Sequence, residues 1–330
     1  MPDYRPEFQT EPPTGPARYP VSATDPIDGA KEWTGRLLFP FDLSRWISFS
    51  VGLFLAVLST GLINVNISPE VFQGGVQAIG AVVGMCFGIV IALLLGWVGA
   101  VGEFVFLEYT LTGETDLSSA WARGSAPGTS LFLLHLAAGF VGLVLMAPVS
   151  FIYAERMLAI MESVEQQGGQ MEPQQVFAML ADLFTSSTPL VAAGCCFGFL
   201  AVAFNTISHD IVVPLMYRWR VSSFRAIGIA FRLMGSNVGV FIGYFAVRFC
   251  IGVLFWLTHM VYVLACCVAF CLPFIPVVGQ VAILPLHMWR RTYTVLFLEQ
   301  FGPEWEIFQR GPAPADPGPG GYMPPPAAPV

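Results

Sequence analysis

Long apolar windows without a single charge constrain this chain more than any other feature. Residues 46–69, 71–102, 124–154, 183–208 and 249–289 contain no Asp, Glu, Lys or Arg. A hydrocarbon core of about 30 Å needs about 20 apolar helical residues to cross it. In lipid, only helices and closed barrels satisfy their own backbone polar groups. The windows are continuously apolar over helical lengths, so membrane-crossing helices are predicted.

The last window is too long for one crossing. It is broken at Leu272-Pro273-Phe274-Ile275-Pro276-Val277-Val278-Gly279, where two Pro and a Gly end a helix. That placement starts span 5 near Ser236 and puts span 6 at about 278–298. A rival break at His259, followed by a Pro-kinked last helix, gives the same number of spans. The predicted fold is an all-α polytopic membrane bundle of about six transmembrane helices.

Composition agrees. The chain is 55% hydrophobic and 11% charged, whereas soluble domains carry about a quarter charged residues. Too little polar surface remains to cover a globule, so apolar surface must face lipid. The domain reading is a membrane domain at 31–309 between Pro-rich tails at 1–30 and 310–330, which are too polar to order themselves. The first thirty residues lack an apolar core, so the first span is expected to act as its own uncleaved insertion signal.

Three amphipathic segments are expected at the membrane surface. The first is 31–44, with Trp33, Leu37, Leu38, Phe39 and Phe41 around Arg36 and Asp42. The second is about 173–185, with Phe177, Leu180 and Phe184 at helical spacing. The third is 222–235, capped by Ser222 or Ser223, with Phe224, Ile227, Phe231 and Met234 opposite Arg225 and Arg232.

Basic residues set the orientation. Arg5, Arg18, Lys31, Arg36, Arg45, Arg123, Arg218, Arg220, Arg225, Arg232, Arg290, Arg291 and Arg310 fall on one side. The opposite loops hold only Arg156, and Arg248 lies within a span. Both termini are therefore expected in the cytoplasm, in the cell (inner or plasma) membrane. The bilayer is the expected partner, with a protein partner or a second copy beside it. The net charge is −7 and no basic run is present, so nucleic acid is not expected.

The candidate site is a set of ionisable groups near the inner leaflet. Glu103 and Glu108 close span 2, and His209 and Asp210 close span 4. Arg248 lies roughly 18 Å into span 5 at 1.5 Å per residue. Arg290 and Arg291 lie at similar depth in span 6, and His287 sits one turn above Arg291. A charge at the bilayer centre costs about 2.5–3.5 kcal/mol or more. These groups should therefore face the bundle interior and pair. Depth suggests Asp210 or Glu103 with Arg248, and Glu108 with Arg290 or Arg291.

Two readings of the cluster stay open. One is a polar pathway or anion site, with the Arg residues holding phosphate or carboxylate and the acids exchanging protons. The other is a buried ion-pair network that fixes helix register, or charges that snorkel to the headgroups. The four His and seven Cys show no metal-ligand spacing, so no metal or other cofactor is expected. No nucleophile stands beside a base and no phosphate loop is present, so enzyme chemistry is not expected. Gly80, Gly84 and Gly88 form a small-residue helix face, read as intramolecular packing.

Several blocks resemble a family of uncharacterised bacterial multi-pass membrane proteins. They are Leu38-Phe39-Pro40-Phe41-Asp42-Leu43-Ser44-Arg45-Trp46, Phe104-Val105-Phe106-Leu107-Glu108, Asp210-Ile211-Val212-Val213-Pro214-Leu215-Met216-Tyr217, and Arg291-Thr292-Tyr293 with Phe297-Leu298-Glu299-Gln300-Phe301-Gly302-Pro303-Glu304. The chain departs from that family in lacking a basic residue beside the second block. The layout is similar to membrane domains found beside glycerophosphodiester phosphodiesterases. The resemblance implies a membrane domain without an attached enzyme domain. The leading expectation is a membrane-embedded binding, assembly or scaffold protein. The alternative is a transporter or channel for a small anionic solute or lipid headgroup that uses an intramembrane Arg/Asp pair.

Overall fold

A computed structural model describes residues 14–61, 75–166, 177, 181, 188–268 and 276–308. The described residues are helical, with no strand among them. In order they form α1 (Pro26–Leu38), α2 (Leu43–Gly61), α3 (Gly75–Thr112), α4 (Leu117–Gln166) and α5 (Thr188–Ile207). A π-helical turn at Ser208–Val212 leads into α6 (Val213–Trp219). Then come α7 (Ser223–Ser236), α8 (Val238–Val268), α9 (Pro276–Glu299) and a 3-10 turn at Pro303–Trp305.

Local chemistry sets the boundaries. Asp42 Oδ1 accepts from the Ser44 N–H at 2.8 Å at the start of α2. Gly113, at φ +73°, ends α3 in the left-handed conformation that glycine adopts without penalty. Asp116 Oδ1 accepts from the Ser118 N–H at 3.1 Å and opens α4. Arg220, also left-handed, closes α6 with its N–H on the Met216 carbonyl at 3.0 Å.

Among the described residues four helical stretches are long and apolar enough to cross a membrane. They are Val83–Thr112, Leu117–Ala159, Ala192–Trp219 and Val238–Thr258. Leu43–Leu58 is apolar but shorter. α9 carries His287, Arg290 and Arg291 along its length and is not among these four. α8 runs unbroken through His259 to Val268, and α9 begins at Pro276. No break occurs at His259; of the expected Pro-rich break, residues 272–275 lie outside the described residues and 276–279 belong to α9.

Two compact units divide the chain: Met1–Phe132 with His209–Val330, and Leu133–Ser208. In the first, α2 packs along α3, and α9 packs on α1, α2 and α3. Residues 101–111, 209–216 and 291–298 are buried on every face. A helix enclosed all round has neighbours on each side. The other half of α3 is open, with Val83, Phe87 and Leu94 exposed. Single helices thus pass from a lipid-type surface into a protein-enclosed base.

Glycine brings the helices of that base close. A Cβ on Gly102 would lie 2.5 Å from the Leu55 backbone, and one on Gly128 would lie 2.6 Å from Val101 Cα. By contrast, a Cβ on Gly84 or Gly88 would meet nothing within 4 Å. The expected intramolecular packing of that small face is not seen at these two positions among the described residues. The side chain position of Gly80 lies outside the described residues.

The N-terminal segment departs from the expected tail. Residues 14–25 follow a defined course, although they bury little apolar surface. Asn237 Oδ1 accepts from the Ala17 N–H at 2.7 Å, and its Nδ2 donates to the Gly15 carbonyl at 3.2 Å. Gln300 grips Ser22 in the same way, accepting its N–H at 2.8 Å and donating to its carbonyl at 2.9 Å. Tyr293 Oη donates to the Ala23 carbonyl at 2.9 Å. Side-chain amides replace the hydrophobic burial that composition tests for. Residues 1–13 and 309–330 lie outside the described residues.

The amphipathic segments are also revised. α1 occupies 26–38 rather than 31–44, and its apolar face is buried: Trp33 donates Nε1–H to the Thr110 carbonyl at 2.8 Å. In α7 the buried face is Ala226, Ile229, Ala230 and Leu233, while Phe224 and Phe231 are exposed. Small residues permit the closer approach, so the larger ones turn outward. Ser222 makes no side-chain cap; Ser223 instead donates its hydroxyl to the Ser130 carbonyl at 2.6 Å. The segment near 173–185 is described only at residues 177 and 181.

The second unit holds the rest of α4 and α5. Phe197 lies against Gly142, where a Cβ would be 2.7 Å from the ring, and Phe204 meets His135 edge-on at 6.1 Å. Phe140, Leu143, Phe151 and Phe199 are exposed.

Candidate functional site

The enclosed base of the first unit holds the charged cluster, and the helices place it by register. Glu103 and Glu108 face inward from the buried turns of α3. Asp210 and His209 sit on the π-helical turn, and Arg248 projects from α8. Arg290 and Arg291 sit near the middle of α9.

Pro214 explains why the turn at Ser208–Val212 has a carbonyl to spare. In π register the His209 carbonyl would accept from the N–H of residue 214. Proline has no N–H. The His209 carbonyl accepts from Arg291 Nη1. The other arm of the same guanidinium, Nη2, pairs with Glu103 Oε2. Glu103 Oε1 lies 3.0 Å from His209 Nδ1. One buried guanidinium therefore ties α3, the π turn and α9 together.

A second pair lies beside it. Arg248 Nε donates to Asp210 Oδ2 at 2.5 Å. The single Tyr244 hydroxyl proton lies within reach of the same oxygen at 3.4 Å and of the Thr294 hydroxyl at 3.0 Å. Thr294 Oγ1 donates in turn to the Arg290 carbonyl at 3.2 Å. Tyr244 also stacks on Tyr293 at 5.7 Å between centroids. Aromatic stacking of this kind contributes about 0.5–1.5 kcal/mol beyond burial and fixes the ring that orients Asp210.

Glu108 departs from the expected partners. Its Oε1 pairs with Arg123 Nη2, across the turn between α3 and α4. Arg123 also donates to Ser119 Oγ at 3.1 Å. The hairpin geometry brings residue 123 back past residue 108, whereas Arg290 and Arg291 face a different side of α3. Arg123 is the site residue that sequence reasoning missed. A short Gly-Glu-Thr-Asp connection after an apolar helix was the signal that a hairpin would return a base to Glu108.

Arg290 stands apart. Its guanidinium forms no hydrogen bond or ion pair among the described residues. It interacts electrostatically with Asp210, Arg248, Arg291 and Glu103. His287 is buried one turn away on α9 and meets Phe255 edge-on at 4.7 Å. Among the described residues no group of His, Cys, Asp and Glu is arranged to hold a metal ion.

The fold and site thus define an all-helical protein with helices apolar enough to span a membrane and a charged, enclosed base. Over residues 21–302 the chain matches the Family of unknown function (DUF7544), and it belongs to that family. No curated protein and no solved structure matches it.

Proposed function

We propose that this chain is a six-span membrane-embedded binding or assembly protein whose charge cluster locks the helix register. The observation that supports this is the pairing of every acid in the cluster. Asp210 has Arg248, Glu103 has Arg291, and Glu108 has Arg123. Removing one partner of a buried pair costs about 3–5 kcal/mol. A carrier that exchanged protons at these acids would meet that cost in every cycle. A fixed platform meets it never. α2 and α9 complete the six spans in this reading. The arginine distribution supports cytoplasmic termini at both ends, and in this reading the chain runs no enzyme chemistry of its own.

The test is solvent access to the cluster. A Cβ at Gly252 would lie 3.9 Å from Arg248 Nη1. In a background with the seven native cysteines removed, Gly252→Cys is treated with a charged, membrane-impermeant thiol reagent from each side. A locked platform leaves it unreactive from both sides. Rapid labelling from either side would mark a water-filled route and favour transport of an anionic solute.

A further inference from the structure

The cluster does not balance its own charge. Glu103 and Asp210 supply two negative charges, and Arg248, Arg290 and Arg291 supply three positive ones. The Glu108–Arg123 pair is neutral within itself. Each acid is already committed: Asp210 Oδ2 accepts from Arg248 with the Tyr244 hydroxyl in reach, while the two oxygens of Glu103 face Arg291 and His209. The guanidinium left over is Arg290, which forms no ion pair among the described residues. As a residue it is half-buried, unlike Arg291 beside it.

The backbone around Arg290 is held still. Its carbonyl takes the Thr294 hydroxyl, which is fixed by Tyr244. Its neighbour Arg291 is anchored at both ends. Trp289, on the other side, donates Nε1–H to the Ile27 carbonyl at 3.4 Å. A fork of N–H donors rooted in a fixed backbone, with an uncancelled positive charge behind it, matches a tetrahedral oxyanion. One excess charge matches a group that carries one negative charge.

We infer that Arg290 is the centre of a binding site for a singly charged phosphate diester, with Arg248 and Arg291 as fixed positive neighbours already neutralised by their acids. This reassigns the ligand-binding role from Arg248 to Arg290. It is independent of the assembly role and would stand without any protein partner. The diester has two sources, the headgroup of an anionic lipid and a soluble phosphodiester.

The test uses the full chain, delipidated in a maltoside detergent. It is titrated with phosphatidylglycerol, with glycerophosphoglycerol as the matching soluble diester, and with phosphatidylcholine. Binding is read by native mass spectrometry for wild type, Arg290→Gln and Arg290→Lys. The inference predicts that phosphatidylglycerol binds wild type and that Arg290→Gln weakens it at least tenfold. It also predicts that Arg290→Lys retains most of the affinity and that phosphatidylcholine binds far more weakly. Glycerophosphoglycerol binding as tightly as the lipid assigns a soluble diester; binding of the lipid alone assigns a headgroup. A second measurement needs no variant: phenylglyoxal modification of Arg290 in wild type should slow at least threefold with phosphatidylglycerol and not with phosphatidylcholine. Unchanged affinity in a folded Arg290→Gln, or an unprotected Arg290 at saturating phosphatidylglycerol, would overturn the inference.

Discussion

Replacing Arg291 by Met should destabilise the fold by about 3–5 kcal/mol, the cost of stranding one member of a buried pair. Arg291 is 5% exposed and, besides a long 3.5 Å contact to the Glu103 carbonyl, makes two main interactions. One is to the Glu103 carboxylate and the other is to the His209 carbonyl. The two can be separated. Glu103→Leu in the same chain removes the stranded carboxylate, so the double variant should recover most of the loss. The His209 carbonyl remains unpaired in both, and a buried unmade hydrogen bond costs about 1–3 kcal/mol. The double variant should therefore sit about 1–3 kcal/mol below wild type, well short of the sum of the two single losses, and that shortfall is the coupling between the sites. Unfolding in lipid micelles titrated with a denaturing detergent measures all four corners of the cycle. Additive losses, or an Arg291→Met cost under about 1 kcal/mol, would mean that the pair is not buried and the register argument fails.

Further outcomes follow from the same geometry. Pro214→Ala restores an N–H that competes for the His209 carbonyl, so it should loosen Arg291 and speed amide exchange across Ser208–Val212 in hydrogen-exchange mass spectrometry. Gly128→Ala must push against Val101 Cα and should cost about 1–3 kcal/mol, whereas Gly84→Ala, with nothing within 4 Å, should leave unfolding unchanged or slightly raise stability. Asn237→Ala removes two bonds to the N-terminal segment and should raise protease cleavage between Gly15 and Ser22 several-fold while the helices stay intact. Protease-sensitive tags at both ends should be cut only from the cytoplasmic face; cleavage of one from each face would contradict an even number of spans.

Much of the helical layout was legible because long apolar, charge-free windows read as helices. Charge-free windows near 71–102, 124–154 and 183–208 became α3, α4 and α5, and the window at 249–289 holds parts of both α8 and α9. Depth along each span also brought Asp210 to Arg248. What depth cannot encode is azimuth. Glu108 lies five residues along α3 from Glu103, the partner of Arg291, and on a different side of the helix, so Arg123 takes Glu108. The N-terminal segment escaped for another reason. Its order comes from Asn237, Gln300 and Tyr293, which are far away in sequence, and a local composition test does not see them. Nor does the amphipathic pattern of α7 say which face turns inward; the buried one carries Ala226, Ile229, Ala230 and Leu233.

The most direct test of the central proposal is purification from the native membrane in lipid nanodiscs, followed by mass spectrometry of the intact particle. An assembly protein should carry a second protein chain, either a different partner or another copy of itself, at fixed stoichiometry through every step. A particle that holds one copy of this chain with lipid alone would contradict the assembly reading.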